Sequence, residues 1–88
     1  HGAPIIEPET FIKAYIAHRL EREQQIIAYL KQGITKIADM VPNLYANVDK
    51  RLWPAAALSL YAHVLRLVEN GIIISDGLSE IGAKYQIL

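Results

Sequence analysis

Cysteine is absent from the 88 residues, so neither a disulfide framework nor a thiolate zinc site is available to this chain. An excess of charge of either sign is missing too, nine Lys and Arg standing against nine Asp and Glu. A dedicated nucleic-acid binder usually carries a basic surplus, so this balance argues against that role. No run approaches the roughly 20 apolar residues that cross a bilayer. The most apolar stretch, Trp53 to Leu65, is broken by Pro54, Ser59 and His63. There is no Gly-rich phosphate loop and no nucleophile elbow around Ser59, Ser75 or Ser79. Glu21 and Glu23 lie two apart on a helix and face different directions, so they are not an acid/base pair. The segment alone is expected to be catalytically silent.

The opening His1-Gly2-Ala3-Pro4 lacks the basic and apolar parts of a signal peptide, and it lacks an initiator Met. We expect a piece of a longer protein that is not secreted, working in the cytoplasm or, in a eukaryote, the mitochondrion. Hydrophobic residues make up 52% and charged residues 20%, which excludes a disordered chain. At this length apolar burial and chain entropy nearly cancel, so one small domain with little stability to spare is expected.

The pattern predicts a first helix over Pro8 to Gln32, with Pro8 and Glu9 suited to its first turn and Gly33 to its end. Its apolar residues change phase. Phe11, Ile12, Tyr15 and Ile16 form one stripe, a charged stretch from Arg19 to Gln24 interrupts it, and Ile26, Ile27, Tyr29 and Leu30 resume. Two apolar ends and a charged middle indicate two different neighbours. The second half packs within this domain and the first half is a docking stem, through which the isolated chain is expected to self-associate or which it shows frayed. Thr35 is a candidate N-cap for a short second helix carrying Ile37, Met40 and Val41, in which Pro42 would remove one backbone bond. A turn over Ala46 to Leu52 leads to a third helix, Pro54 to Asn70, apolar enough to be the central one. The β-branched run Ile72 to Ser75, the turn pair Asp76-Gly77 and the alternating Lys84 to Ile87 predict a hairpin. The chain is therefore mainly α with a small C-terminal β-hairpin, which is the order of a winged helix: three helices plus a wing.

Several local patterns coincide with one family. They are His1-Gly2-Ala3-Pro4-Ile5-Ile6 at the start, His18-Arg19 with Arg22-Glu23 and Gln25-Ile26 on the long helix, and Ala55-Ala56, His63-Val64, Leu67 and Gly71-Ile72 beyond it. Together they resemble the winged-helix domain that closes the C-terminus of metallo-β-lactamase-fold hydrolases similar to β-lactamase-like protein two. Ala3-Pro4 stands where Pro-Val is frequent in that family, and Val64 where Leu is, but neither change touches a reactive group. The resemblance implies that residues 1–7 are the tail of an upstream catalytic domain and that 8–88 are the winged helix. It further implies a zinc-dependent parent, with single-stranded RNA as the substrate of characterised relatives, and His1 as a zinc ligand in the full-length parent only. No cofactor is expected in the fragment itself.

Among the other polar residues, His18 and His63 have no third ligand at metal spacing. They read better as packing residues. His18, Arg19, Arg22 and Glu23 are expected to form a polar cluster that orients the long helix, with Arg19 and Glu23 paired at i, i+4. The third helix starts Trp53-Pro54-Ala55-Ala56-Ala57, which can read almost nothing in a groove. His63, Arg66, Glu69 and Asn70 are its only polar reach, and Asp76 and Glu80 give the wing the wrong sign for phosphate. Any RNA contact is expected to be weak. The leading expectation is an accessory domain that packs on the upstream catalytic domain and shapes its substrate cleft. The alternative is a free-standing winged-helix module that binds DNA or protein.

Overall fold

The computed structural model describes residues 8–88. Its elements run α1 (Pro8–Lys31), α2 (Ile37–Leu44), a short 3₁₀ turn (Lys50–Leu52), α3 (Trp53–Glu69), β1 (Ile73–Ser75) and β2 (Tyr85–Ile87). The two strands pair antiparallel, with Ile73 opposite Ile87, Ile74 opposite Gln86 and Ser75 opposite Tyr85. Three helices followed by a two-stranded hairpin is the arrangement the sequence predicts.

Two helices end in the same way. Gly33 adopts a φ of 87° and Gly71 a φ of 72°, the left-handed region that a side chain penalises. The amide of Ile34 then donates to the Tyr29 carbonyl at 3.0 Å, and that of Ile72 to the Leu67 carbonyl at 3.0 Å. These bonds reach five residues back and close each helix as a Schellman motif, with an apolar residue just beyond the glycine. Ile72 is consumed by this closure, which is why β1 begins one residue later than its β-branched run suggests.

Thr35 does not cap α2. Lys36 occupies that position with no side-chain hydrogen bond, while the Thr35 carbonyl accepts the Tyr85 amide at 3.0 Å. The segment entering α2 is thus tied to the outer side of β2, and this long-range bond displaces the local capping preference. Pro42 lies inside α2 without ending it. At the next corner the Trp53 indole Nε1 donates to the carbonyls of Tyr45 and Val48, at 3.0 and 3.2 Å. Asp49 caps the 3₁₀ turn by accepting the Arg51 amide at 2.9 Å.

The core is small and drawn from every layer. Leu60, Val64 and Leu67 of α3 meet Ile26 and Leu30 of α1, Ile37, Met40 and Val41 of α2, and Ile73 and Tyr85 of the hairpin. As expected, α3 is central, and packs against α1, α2, β1 and the 3₁₀ turn. Two tyrosines hold the wing loop down. The Tyr61 hydroxyl donates to the Ser79 carbonyl at 2.6 Å, and the Tyr85 hydroxyl donates to the Glu80 carbonyl. Burial of Tyr85 pushes its phenol pKa up. Lys84 falls just outside β2, where its amide turns to the Asp76 carboxylate at 3.3 Å rather than to the strand.

The molecule is elongated, 50 × 30 × 21 Å, with a radius of gyration of 14.9 Å. About 12 Å is usual for this chain length. The excess comes from α1, which runs about 36 Å at 1.5 Å per residue and buries nothing before Glu23.

Leu67 is 2% exposed whereas Leu65, two residues earlier, is only half-buried. Leu67→Ala should therefore cost roughly 2–5 kcal/mol and Leu65→Ala clearly less. Urea midpoints of the two variants check the order.

Candidate functional site

Glu23 belongs to the same helical stripe as Ile26 and Leu30, at i, i+3 and i+7, and is the buried charged residue of the described core. A lone buried carboxylate is costly unless it is paired. Three nitrogens converge on its Oε2: Arg66 Nε at 3.3 Å, His63 Nδ1 at 3.5 Å and Arg19 Nε at 3.9 Å. Only the Arg66 contact has hydrogen-bond geometry. Arg19 Nε and His63 Nδ1 are buried without a hydrogen-bond partner among the described residues. Oε2 therefore accepts one hydrogen bond, and the other two nitrogens stand near it without the geometry to share it.

Burial is the main cause holding the His63 imidazole below its usual pKa. The Arg66 and Arg22 charges add to this, and Glu23 opposes it. His63 is accordingly neutral at pH 7. The pair Arg66 and Glu23 joins α3 to α1 across 43 positions of sequence.

Beside this cluster lies an open cleft of about 240 Å³. One wall is α1, with Tyr15, His18, Arg19 and Arg22; the other is Tyr45, Ser59 and His63. Arg22 sits over the Tyr45 ring, its guanidinium carbon 5.1 Å from the ring centre. It spends one N–H on Gln25 Oε1 at 3.1 Å.

The residues singled out in the sequence are thus distributed over two neighbouring features. Arg19 and Glu23 approach one another in the carboxylate cluster. His18 and Arg22 stand at the cleft instead, and neither contacts Glu23. His63, read from sequence as a packing residue as well as part of the polar reach of α3, and Arg66, read as polar reach, turn inward to α1, because Ser59, His63 and Arg66 recur at i, i+4, i+7 on the side of α3 that faces α1. The signal for this was present: Glu23 occupies an apolar-stripe position, so a buried partner on another helix had to exist. His1 lies outside the described residues. Among the described residues no three His, Cys, Asp or Glu side chains gather into a metal site, and no helix is long and apolar enough to cross a membrane. At the start of α3 the solvent-facing residues are Pro54, Ala55 and Leu58, none of which offers a side-chain hydrogen bond to a base edge.

Two outcomes follow from this geometry. Because burial depresses the folded-state pKa of His63, the unfolded chain binds its proton first as pH falls through the ordinary imidazole value of about 6.5. The contribution of His63 is thus complete above that pH and declines below it. His63→Gln should flatten the stability profile between about pH 5 and 7 relative to the parent chain, as urea unfolding at each pH would show. Glu23→Gln leaves Arg66 and Arg19 without their counter-charge and should cost about 1–3 kcal/mol, a buried-pair loss reduced by the partial exposure of Arg66. The same unfolding measurement at pH 7.5 checks it.

Comparison with known proteins agrees with this architecture. The family model described as "Beta-lactamase associated winged helix domain" matches residues 37–81, from the start of α2 into the wing loop. A relative, the Beta-lactamase-like protein 2 homolog of Drosophila melanogaster, is 38% identical over 98% of the chain. The chain spans 31% of that relative's length. No solved structure matches it significantly. The helices, the hairpin and these matches together show that the chain belongs to the β-lactamase-associated winged helix domain family.

Proposed function

We propose that this winged helix is the accessory domain of a zinc-dependent hydrolase of metallo-β-lactamase fold, packing on the catalytic domain and shaping the rim of its substrate cleft. The observation that carries this reading is the outer half of α1. Phe11, Ile12, Tyr15 and Leu20 are each more than half exposed and Ile16 is 41% exposed. Several large apolar side chains on one projecting helix form a patch of the kind that seeks a partner. A relative more than three times as long as this chain leaves ample room for the domain that would cover it.

The described residues hold no metal site of their own, so the zinc of this reading is held mainly by upstream residues, with His1 as this chain's contribution. Zinc supplies a polarised, readily deprotonated water for attack on a phosphodiester. The substrate class we assign to the parent is single-stranded RNA, and its compartment is the cytoplasm or, in a eukaryote, the mitochondrion. This domain contributes position, not reacting groups. Its near-zero net charge and acidic wing leave RNA affinity to the catalytic domain.

The test is Phe11→Ser with Tyr15→Ser in the full-length parent, whose cleavage of single-stranded RNA is followed with and without a zinc chelator. The expected result is chelator-sensitive cleavage, with kcat/KM reduced about tenfold or more by the double variant as the domain loses its seat. In the 88-residue chain alone the same variant should convert a self-associating species to monomer in sedimentation. Unchanged cleavage, or a wild-type chain that stays monomeric with α1 fully protected from hydrogen exchange, would show that this face docks on nothing.

A further inference from the structure

The cleft between α1 and α3 is lined by two arginines, of which Arg19 shares the charge of the Glu23 carboxylate with Arg66 and Arg22 has no carboxylate of its own among the described residues. Glu23 is the carboxylate of the adjoining cluster, and its hydrogen bond goes to Arg66, which is not part of the cleft wall. Arg19 approaches that carboxylate only at 3.9 Å, and its Nε is left without a hydrogen bond. Arg22 has no acidic partner within ion-pair distance among the described residues; its charge is held in place by the Tyr45 ring and by Gln25. Glu21 stands in a smaller recess next door, beside His18 and Arg22, and forms no ion pair among the described residues. Two guanidinium charges therefore face one small space. A hydroxyl, Ser59, and two imidazoles, His18 and His63, line the same space.

We propose that this cleft is a binding site for the phosphate monoester of a mononucleotide. A monoester at pH 7 carries about −1.5 to −2 charge and three strong acceptor oxygens, which match two guanidinium forks and a hydroxyl. A carboxylate offers two acceptor oxygens and one charge, fewer acceptors than the guanidinium and hydroxyl donors that line the cleft. The nucleotide, rather than phosphate alone, is favoured by Tyr15, which lines the cleft and is 59% exposed. A base stacks on such a ring. The Tyr45 ring is already covered by Arg22, so one stacking surface remains. The phosphate part of the site depends on no chemistry of an upstream domain; Tyr15 also lies on the α1 face proposed to dock, so its stacking role is read in the 88-residue chain at concentrations where sedimentation shows it monomeric.

The 88-residue chain, labelled for detection of arginine and histidine side chains and of isoleucine, leucine and valine methyl groups by NMR, is titrated separately with 5′-AMP, ribose 5-phosphate, inorganic phosphate, adenosine and acetate. The expected result is that the signals of Arg22, Arg19, His18 and His63 shift with the three phosphates, most tightly with 5′-AMP. Adenosine and acetate leave them in place. Arg22→Gln, which does not touch the Glu23 cluster, should weaken 5′-AMP roughly ten- to a hundredfold, the loss of one charged hydrogen-bonding group. Lys84→Gln on the wing should change nothing. Tyr15→Ala should bring 5′-AMP down to the affinity of ribose 5-phosphate.

The proposal is overturned if acetate binds as tightly as phosphate, if adenosine binds as tightly as 5′-AMP, or if Lys84→Gln weakens binding as much as Arg22→Gln. It is equally overturned if no phosphate shifts these signals. Ribose 5-phosphate binding as tightly as 5′-AMP to the wild-type chain would overturn the nucleotide assignment. Core signals of Ile26, Leu60 and Val64, unchanged in each variant, establish that the fold is intact.

Discussion

Packing in this domain converges on one stripe of α3, formed by Leu60, Val64 and Leu67, because no other surface touches α1, α2 and the hairpin at once. A chain this short has no disulfide to compensate for a poor core, so the stripe sets where every other element can lie. Ile26 and Leu30 fix the inner half of α1 against it, Met40 and Val41 fix α2, and Ile73 with Tyr85 fix the hairpin. Peripheral bonds then lock positions that the core has already chosen. The Trp53 indole fastens the α2–α3 corner, and the Tyr61 and Tyr85 hydroxyls fasten the wing loop.

The same packing creates the charged cluster. Once α1 lies on α3, residue 23 of α1 is brought against the Ser59, His63 and Arg66 side of α3, and a carboxylate there has to be paired. Arg66 provides that pairing on one side of Glu23. On the other, Arg19 and His63 are left with incomplete partners next to the cleft. The unsatisfied donors and the cationic cleft thus follow from a single helix crossing.

Features set by neighbours in sequence were legible before the structure. Gly33 and Gly71 mark helix ends because a left-handed residue is a local requirement, and Pro8 marks a helix start for a similarly local reason. The hairpin was legible from its β-branched run and its Asp76-Gly77 turn. Misplaced features involve partners distant in sequence. Thr35 fails as a cap since its carbonyl serves Tyr85, 50 positions on. Arg66 faces inward since Glu23 waits on another helix, while His18, grouped with Glu23 by proximity along α1, lies on a different side of it. Helix periodicity shows that two residues share a face, but not which face on another helix will meet it.

The continuity of α1 has a mechanical consequence. One uninterrupted helix forms both the exposed outer stem and a wall of the core, with no glycine or proline between Glu9 and Gln32 to act as a joint. Whatever grips the stem therefore grips a strut, not a tether. Rotating the stem about its axis would carry Glu23 with it and pull on Arg66, so a load on the outer half is felt at α3. The orientation of the hairpin and cleft relative to anything held by the stem is set by helix stiffness, leaving no linker to be relaxed or tuned.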